Sequence, residues 1–345
     1  MSRPRYRRTA VAAAAALTLL VTGCGGASQG AGAGATGGGG ATKITVLLPN
    51  PSAINVFNLC AAIGEGFMKA EGIDVTVQAV DGSGAVLQAM VAGQAQIGLP
   101  GPGPVLNVRS KGEDVRMFYN SFAQSLFGLV APAKSGIQSV TDLKGKVVGV
   151  GTAEGAEVSY ARGILAEAGM KEDRDYTMLA VGDGGQATAA FQRGDIAVYS
   201  AAVSDMAILE ARGLPLREIT PPKFLAFFGN GFAATGAYMD KNPKVIQGFA
   251  NALVKGNTWA LANKAGTLKD CEKINPEEGM DTKLASALYD AITVRSQPTG
   301  GAAVGVFPAK GWEDWQKNLI DSGELTGPTA DLTAAYNNSF VQNAS

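Results

Sequence analysis

The sequence predicts an α/β protein of two similar lobes followed by a helical C-terminal part. Three observations carry that expectation. Apolar β-type runs alternate with helical patterns, the signature of βαβ units and a mostly parallel sheet. The alternation begins near Lys43, breaks off, and restarts near Lys146. Setting aside the first 23 residues leaves about 320, more than one hydrophobic core usually serves.

At the N-terminus, Arg3, Arg5, Arg7 and Arg8 precede Ala10 to Val21, an apolar run of about a dozen residues, in the charged-then-apolar order of an export signal. The run is shorter than the roughly 20 residues that span a bilayer. Val21-Thr22-Gly23-Cys24 resembles the lipobox of bacterial lipoproteins, which implies cleavage before Cys24 and a diacylglycerol on its sulfur. Residues 1–23 are thus read as a lipoprotein signal peptide. Residues 24–42 are mostly Gly, Ala, Ser and Thr, cannot bury apolar surface, and are read as a flexible tether. Arg7-Arg8 leaves both general secretion and twin-arginine export open.

The folded part follows in order. Lys43 to Leu48 is a strand, Pro49 to Ser52 a loop, and Asn55 to Glu71 a helical pattern ended by Gly72. A strand Ile73 to Val80, a helix Ala85 to Ala92, and strands Ile97 to Leu99 and Val115 to Tyr119 come next. After Phe127 to Ala131 the pattern repeats: strand Lys146 to Val150, helix Glu154 to Ala168, strand Tyr176 to Val181, helix Gln186 to Arg193, strand Ile196 to Ser200 and helix Asp205 to Arg212. Beyond Asn230 strands are scarce. Helical patterns at Pro243 to Asn263, Asp281 to Arg295, Trp312 to Ile320 and Asp331 to Gln342 are expected to pack back on the first lobe.

Composition excludes whole classes of function. Lys and Arg total 29 against 30 Asp and Glu, a formal charge of −1, which offers no basic stripe for nucleic acid. Histidine is absent, so Ser-His-Asp and Cys-His catalysis are ruled out together with the commonest metal ligand. With Cys24 assigned to the lipid, only Cys60 and Cys271 remain, too few for a structural zinc site. In an oxidising compartment two leftover cysteines suggest a disulfide, with two separate buried thiols as the alternative.

Several stretches carry a resemblance: Glu71-Gly72-Ile73-Asp74-Val75; Leu87 to Gln94 followed by Ile97-Gly98; Ser135-Gly136-Ile137 with Asp142 to Lys146; Phe191-Gln192-Arg193-Gly194-Asp195; and Asn242-Pro243 opening a long helix with Trp259 near its end. In order and spacing, from about Lys43 to Asn263, the sequence resembles the solute-binding proteins of ABC importers, in the group that binds nitrate, sulfonates, taurine and thiamine-pyrimidine precursors. The resemblance implies a type II periplasmic-binding-protein fold with two chain crossovers, near Phe127 to Pro132 and Phe228 to Gly236. It places lobe 1 at 43–130 plus 232–345 and lobe 2 at 131–231. It also implies a monomer that closes by hinge motion on a small solute and delivers it to permease subunits coupled to a cytoplasmic ATPase, with no cofactor and no catalysis. The lipid would hold it at the outer face of the cytoplasmic membrane.

Open α/β sheets bind ligands beyond the carboxyl ends of their strands. That rule selects Asn50, Ser52 and Asn55; Ser83; Pro102 within the Pro100 to Gly103 loop; and Asn120. In the second lobe it selects Thr152 and Glu154, Asp183, and Ser204 within Ser200 to Asp205, with Asn230 at the return crossing. Each polar residue has a competing role as a helix cap or turn residue, and Glu154 as an acid stabilised by a helix dipole. Phe227, Phe228 and Tyr199 could stack on a ring or fill the core; Trp312 and Trp315 are read as packing. Helix N-termini favour anions. The loops, however, hold Glu154, Asp183 and Asp205 and no Lys or Arg, a balance that leans toward a neutral, zwitterionic or amine-bearing solute, unless Arg109 or Arg162 reaches inward.

Two rival readings stand beside this one. Gly149-Val150-Gly151-Thr152-Ala153-Glu154-Gly155 imitates a dinucleotide-binding fingerprint, but its last glycine is one residue late and Asp183 lies about thirty residues on rather than about twenty. The other rival is a ligand-sensing or partner-binding lipoprotein on the same fold with no transport role.

Overall fold

The computed structural model describes residues 40–298, 301–342 and 344. The leader, Cys24 and most of the tether lie outside the described residues. Among the described residues, ten strands make two five-stranded sheets: β1 (Thr42–Leu48), β2 (Ile73–Ala79), β3 (Ile97–Gly98), β4 (Val115–Asn120), β5 (Phe127–Pro132), β6 (Lys146–Val150), β7 (Tyr176–Ala180), β8 (Val198–Ala202), β9 (Leu216–Glu218) and β10 (Gly231–Thr235). Their orders are β2-β1-β3-β10-β4 and β7-β6-β8-β5-β9. The two share a plan. In each, four of the five strands run in one direction, and a single strand next to a crossover, β10 in the first sheet and β5 in the second, inserts antiparallel to both its neighbours. That one reversed strand makes each sheet mixed. The chain leaves the first sheet between Asn120 and Phe127 and returns between Glu218 and Gly231. Because β5 pairs wholly within the second sheet, a division at 130/131 cuts a single strand.

Among the described residues, ten helices of eight residues or more accompany the strands: α1 (Phe57–Gly64), α2 (Gly82–Val91), α3 (Pro102–Ser110), α4 (Ala156–Glu167), α5 (Gly185–Arg193), α6 (Val203–Ala211), α7 (Pro243–Ala262), α8 (Lys264–Ile274), α9 (Thr282–Ser296) and α10 (Ala309–Asp321). The pattern read as one helix from Asn55 to Glu71 is broken at Glu65-Gly66 into α1 and a short turn of helix, Phe67–Ala70. The Pro100 to Gly103 loop opens a helix that the sequence reading missed, since Pro102 takes the first helical position, where its lack of an N–H costs nothing. The stretch Lys264–Ile274, which the sequence patterns do not mark as a helix, forms α8. Asp331 to Gln342 is not a continuous helix: Asn338 exchanges hydrogen bonds with both backbone groups of Phe307 and Asn337 donates its N–H to Met117 O, so the segment pairs outward instead of coiling.

The C-terminal helices do not all return to the first sheet. Helices α7 and α8 pack on α1, where a disulfide joins Cys60 to Cys271. Helix α9 instead packs on α6, and α10 lies against both α3 and α4. Trp315 explains the contact with α4. It is buried, as is Trp312, and sits against Tyr160 of α4 and Phe227 while its indole N–H donates to Phe228 O at 2.9 Å. Asn318 adds a hydrogen bond to Ser159 O at 3.2 Å. Helix α10 thus bridges elements of both halves. Among the described residues no helix is long and apolar enough to cross a membrane.

Candidate functional site

The carboxyl ends of β1 and β6 face one another, each followed by a loop and a helix start. Their approach is close. Gly82, with φ +79°, stands where a β-carbon would lie 2.5 Å from Thr152 Oγ1, and one added at Gly101 would lie 2.3 Å from Ala156 Cβ. Glycine is required at the first position by both conformation and contact, and at the second by contact. Between these loops lies a cavity of about 30 Å³ lined by Asn50, Ser83, Thr152, Asp183 and Asn230 together with Glu157, Phe127, Tyr199, Ser200 and Asp205. It shares Asn50, Asp183 and Asp205 with an outer chamber of about 360 Å³ that also includes Ser52, Ser204, Arg212, Glu277, Glu278 and Asp281.

Five of the residues selected from sequence thus meet at the inner cavity, and Ser52 and Ser204 line the chamber beside it. Glu154 does not join them. Helix α4 begins at Ala156, two residues later than predicted, so the first-turn acid is Glu157, and Glu154 is exposed in an outer groove with Gln88 Nε2 donating to it at 3.4 Å. Pro102 opens α3, and Asn120 spends its amide on Val306 O and the Phe122 N–H. Asn55 donates to Asn50 Oδ1 at 3.3 Å, behind the lining. The hydroxyl of Ser52 donates to Glu278, whose carboxylate also accepts the N–H groups of Ala53 and Ile54 at 2.8 and 3.1 Å. Arg109 is turned to Asp114 and Val115 O, and Arg162 to Glu172 and Glu324, so neither guanidinium enters the cavity.

Ser200 and Asp205 bound the stretch selected from sequence, and Tyr199, read there as a ring-stacking or core residue, lines the cavity with them. Glu157 has no sequence signal as a site residue, because the pattern starts the helix two residues early and offers Glu154 in its place. Glu157 accepts the Thr152 N–H at 3.0 Å and Asp205 accepts those of Gly184 at 3.1 Å and Ala202 at 3.3 Å. Ser200 donates its hydroxyl to Glu157 O, and the Tyr199 hydroxyl lies 3.2 Å from Gly182 O and 3.3 Å from Asp183 Oδ1.

Three carboxyl groups so close in a shielded site resist ionising. Burial, reinforced by the neighbouring Asp183, pushes Glu157 up to about 7. Burial and the same neighbour push Asp205 up to about 8. Asp183 stands at the cavity mouth and is raised by desolvation, which outweighs the Tyr199 hydrogen bond. Loss of hydration and the surrounding acids hold the Tyr199 phenol far above its usual value. Asn230 is 3% exposed; its Nδ2 donates to Leu99 O at 3.2 Å and its Oδ1 has no partner, as has the Thr152 hydroxyl. Such an arrangement can bind and orient a molecule. Among the described residues no cluster of His, Cys, Asp or Glu is disposed to hold a metal ion.

Comparison with known proteins matches this fold. A family model described as NMT1/THI5 like matches residues 53–266. The riboflavin-binding protein RibY of Chloroflexus aurantiacus is 23% identical over 291 residues, 82% of this chain and 82% of that protein. A solved structure from Bordetella bronchiseptica RB50 superposes with a TM-score of 0.71 at 25% identity, covering 87% of this chain and 96% of that one. The alkanesulfonate-binding protein SsuA from Xanthomonas axonopodis pv. citri, bound to MOPS, superposes with 0.68 at 18% identity, covering 87% and 100%.

Proposed function

Since the chain belongs to the NMT1/THI5-like family, we propose that it is the extracytoplasmic solute-binding component of an ABC importer. It captures a small organic solute between its two sheets by hinge closure and hands it to the permease. One observation carries this reading: a cavity built from strand ends of both sheets, with Asn230 Oδ1 and Thr152 Oγ1 buried and unpartnered at its wall. Groups of that kind cost about 1–3 kcal/mol each when left unmet, which a bound solute removes. The ligand-contacting set in this reading is Asn50, Ser83, Thr152, Asp183 and Asn230, with Ser204 at the chamber and Glu157, Tyr199 and Asp205 added. The same reading takes the chain as a binding protein rather than an enzyme, with lobes meeting at residues 121–126 and 219–230.

The leader and Cys24 support export and a lipid anchor, which would keep the receptor beside its permease. Radiolabelled palmitate incorporated by the wild type and lost in Cys24→Ser would bear this out; equal labelling of both would refute it.

The transport reading is tested on protein purified from its own cells. Denaturation should release a small molecule in near-stoichiometric amount, and a strain lacking the gene should stop taking it up. Release without any change in uptake would favour a ligand sensor, and no released molecule would count against solute binding.

A further inference from the structure

Resting on the solute-binding reading, we propose that the cleft selects an organic cation that carries N–H groups: a guanidinium, amidinium or primary ammonium head seated among Glu157, Asp183, Asp205 and Asn230. The charge count comes first. Among the described residues lining the inner cavity and the outer chamber, Glu157, Asp183, Asp205, Glu277, Glu278 and Asp281 face a single cationic side chain, Arg212, which belongs to the outer chamber alone. Glu278 is taken up by Ser52, Ala53 and Ile54, and Asp281 caps α9 through the Lys283 and Leu284 N–H groups; Glu157, Asp183, Asp205 and Glu277 remain, with Glu157 and Asp205 each also accepting backbone N–H groups.

An independent observation points the same way. The carboxamide of Asn230 is fixed by its Nδ2 hydrogen bond to Leu99 O, which leaves the unpartnered Oδ1, an acceptor and never a donor, at the wall of the same cavity. A buried site that offers an amide oxygen beside crowded acids is complementary to a cation rich in donors, because the bound positive charge draws those carboxyl groups into their ionised form, and hydrogen bonds from a cation to a carboxylate are about twice as strong as neutral ones. An anion would meet repulsion and find no lysine or arginine in the inner cavity. A quaternary ammonium would satisfy the charge and leave Asn230 Oδ1 unmet. The carboxyl groups are not arranged as a metal site. The volumes assign the parts: the inner space of about 30 Å³ admits a head of few atoms, and the adjoining 360 Å³ takes the remainder.

The test is calorimetric titration of the full-length chain with agmatine, which carries a guanidinium and an ammonium group, against choline, uracil and ethanesulfonate. Agmatine should bind at least tenfold more tightly than choline, and uracil and ethanesulfonate should give no heat. Asp205→Asn should weaken agmatine at least tenfold while keeping a cooperative melt; if it fails to fold, Glu157→Gln takes its place. Absence of agmatine binding, unchanged agmatine affinity in the variant, or tighter binding of ethanesulfonate or uracil overturns the cation assignment. None of these results bears on whether a solute is released from the native protein, so the two readings fail separately.

Discussion

At the residue scale the cleft acids set a pH dependence whose sign is fixed by their environment. Glu157 and Asp205 are raised to about 7 and about 8, above the 4.5 and 3.8 they take when solvated. Between about pH 4 and pH 8 the native state therefore holds protons that the unfolded chain has lost, and stability falls as pH rises. The slope should reach about 1.4 kcal/mol per pH unit for each retained proton. Urea unfolding of the unliganded protein at pH 5, 6.5 and 8 checks it, with Asp205→Asn flattening the upper part of the curve; a stability that rises across this range would contradict the burial of these acids. Glu278, also raised by burial, has a structural role as well. Its carboxylate receives the Ala53 and Ile54 N–H groups ahead of α1, so Glu278→Ala should cost about 1–3 kcal/mol in the same assay. Placement of Asn50, Ser83, Thr152, Asp183 and Asn230 was legible, because strand ends and glycine-bearing turns show where a cleft opens. Their engagement was not: Ser52 and Asn120 are the same kind of residue in sequence, and only their partners show that each hydroxyl or amide is already committed.

At the scale of elements, hydrophobic periodicity located β1, β2, β6 and β7 nearly to their ends, since a strand with a strong apolar run reports itself. It failed where a short-range signal competed. Prolines and glycines made α3 look like a loop, and Gly-Phe-Ala-Ala-Thr in β10 has too little apolar surface to announce a strand, although pairing with β3 and β4 stabilises it. The disulfide between α1 and α8 closes a loop with a sequence separation of 211 residues. Replacing both cysteines by alanine should lower stability by about 2–5 kcal/mol, measured by thermal unfolding with and without reductant. A reductant-insensitive melt for the wild type would count against the bond.

At the scale of the whole molecule, α10 ties the halves together. One apolar cluster runs from Phe57 and Leu106 through Tyr160 and Phe228 to Trp312 and Trp315, so residues of both sheets share a core. Unfolding should then be a single transition by tryptophan fluorescence and circular dichroism alike, rather than one step per sheet. Trp315→Ala removes the contacts with Tyr160 and Phe227 and the bond to Phe228 O, and should cost about 3–5 kcal/mol. Two separated transitions in the wild type would show that the halves are energetically independent.

The sequence by itself determined the alternation of strands and helices, the repetition of that plan, the exclusion of histidine chemistry and the family resemblance, because these rest on local patterns and on composition. Tertiary structure alone decided that β5 and β10 insert antiparallel, that α9 and α10 lean on elements of the second half, and that Glu157 and Asp205 share a cavity with Asp183. Those facts join residues dozens to hundreds of positions apart, and a carboxyl group becomes reluctant to ionise only when the fold removes its water and brings another acid beside it.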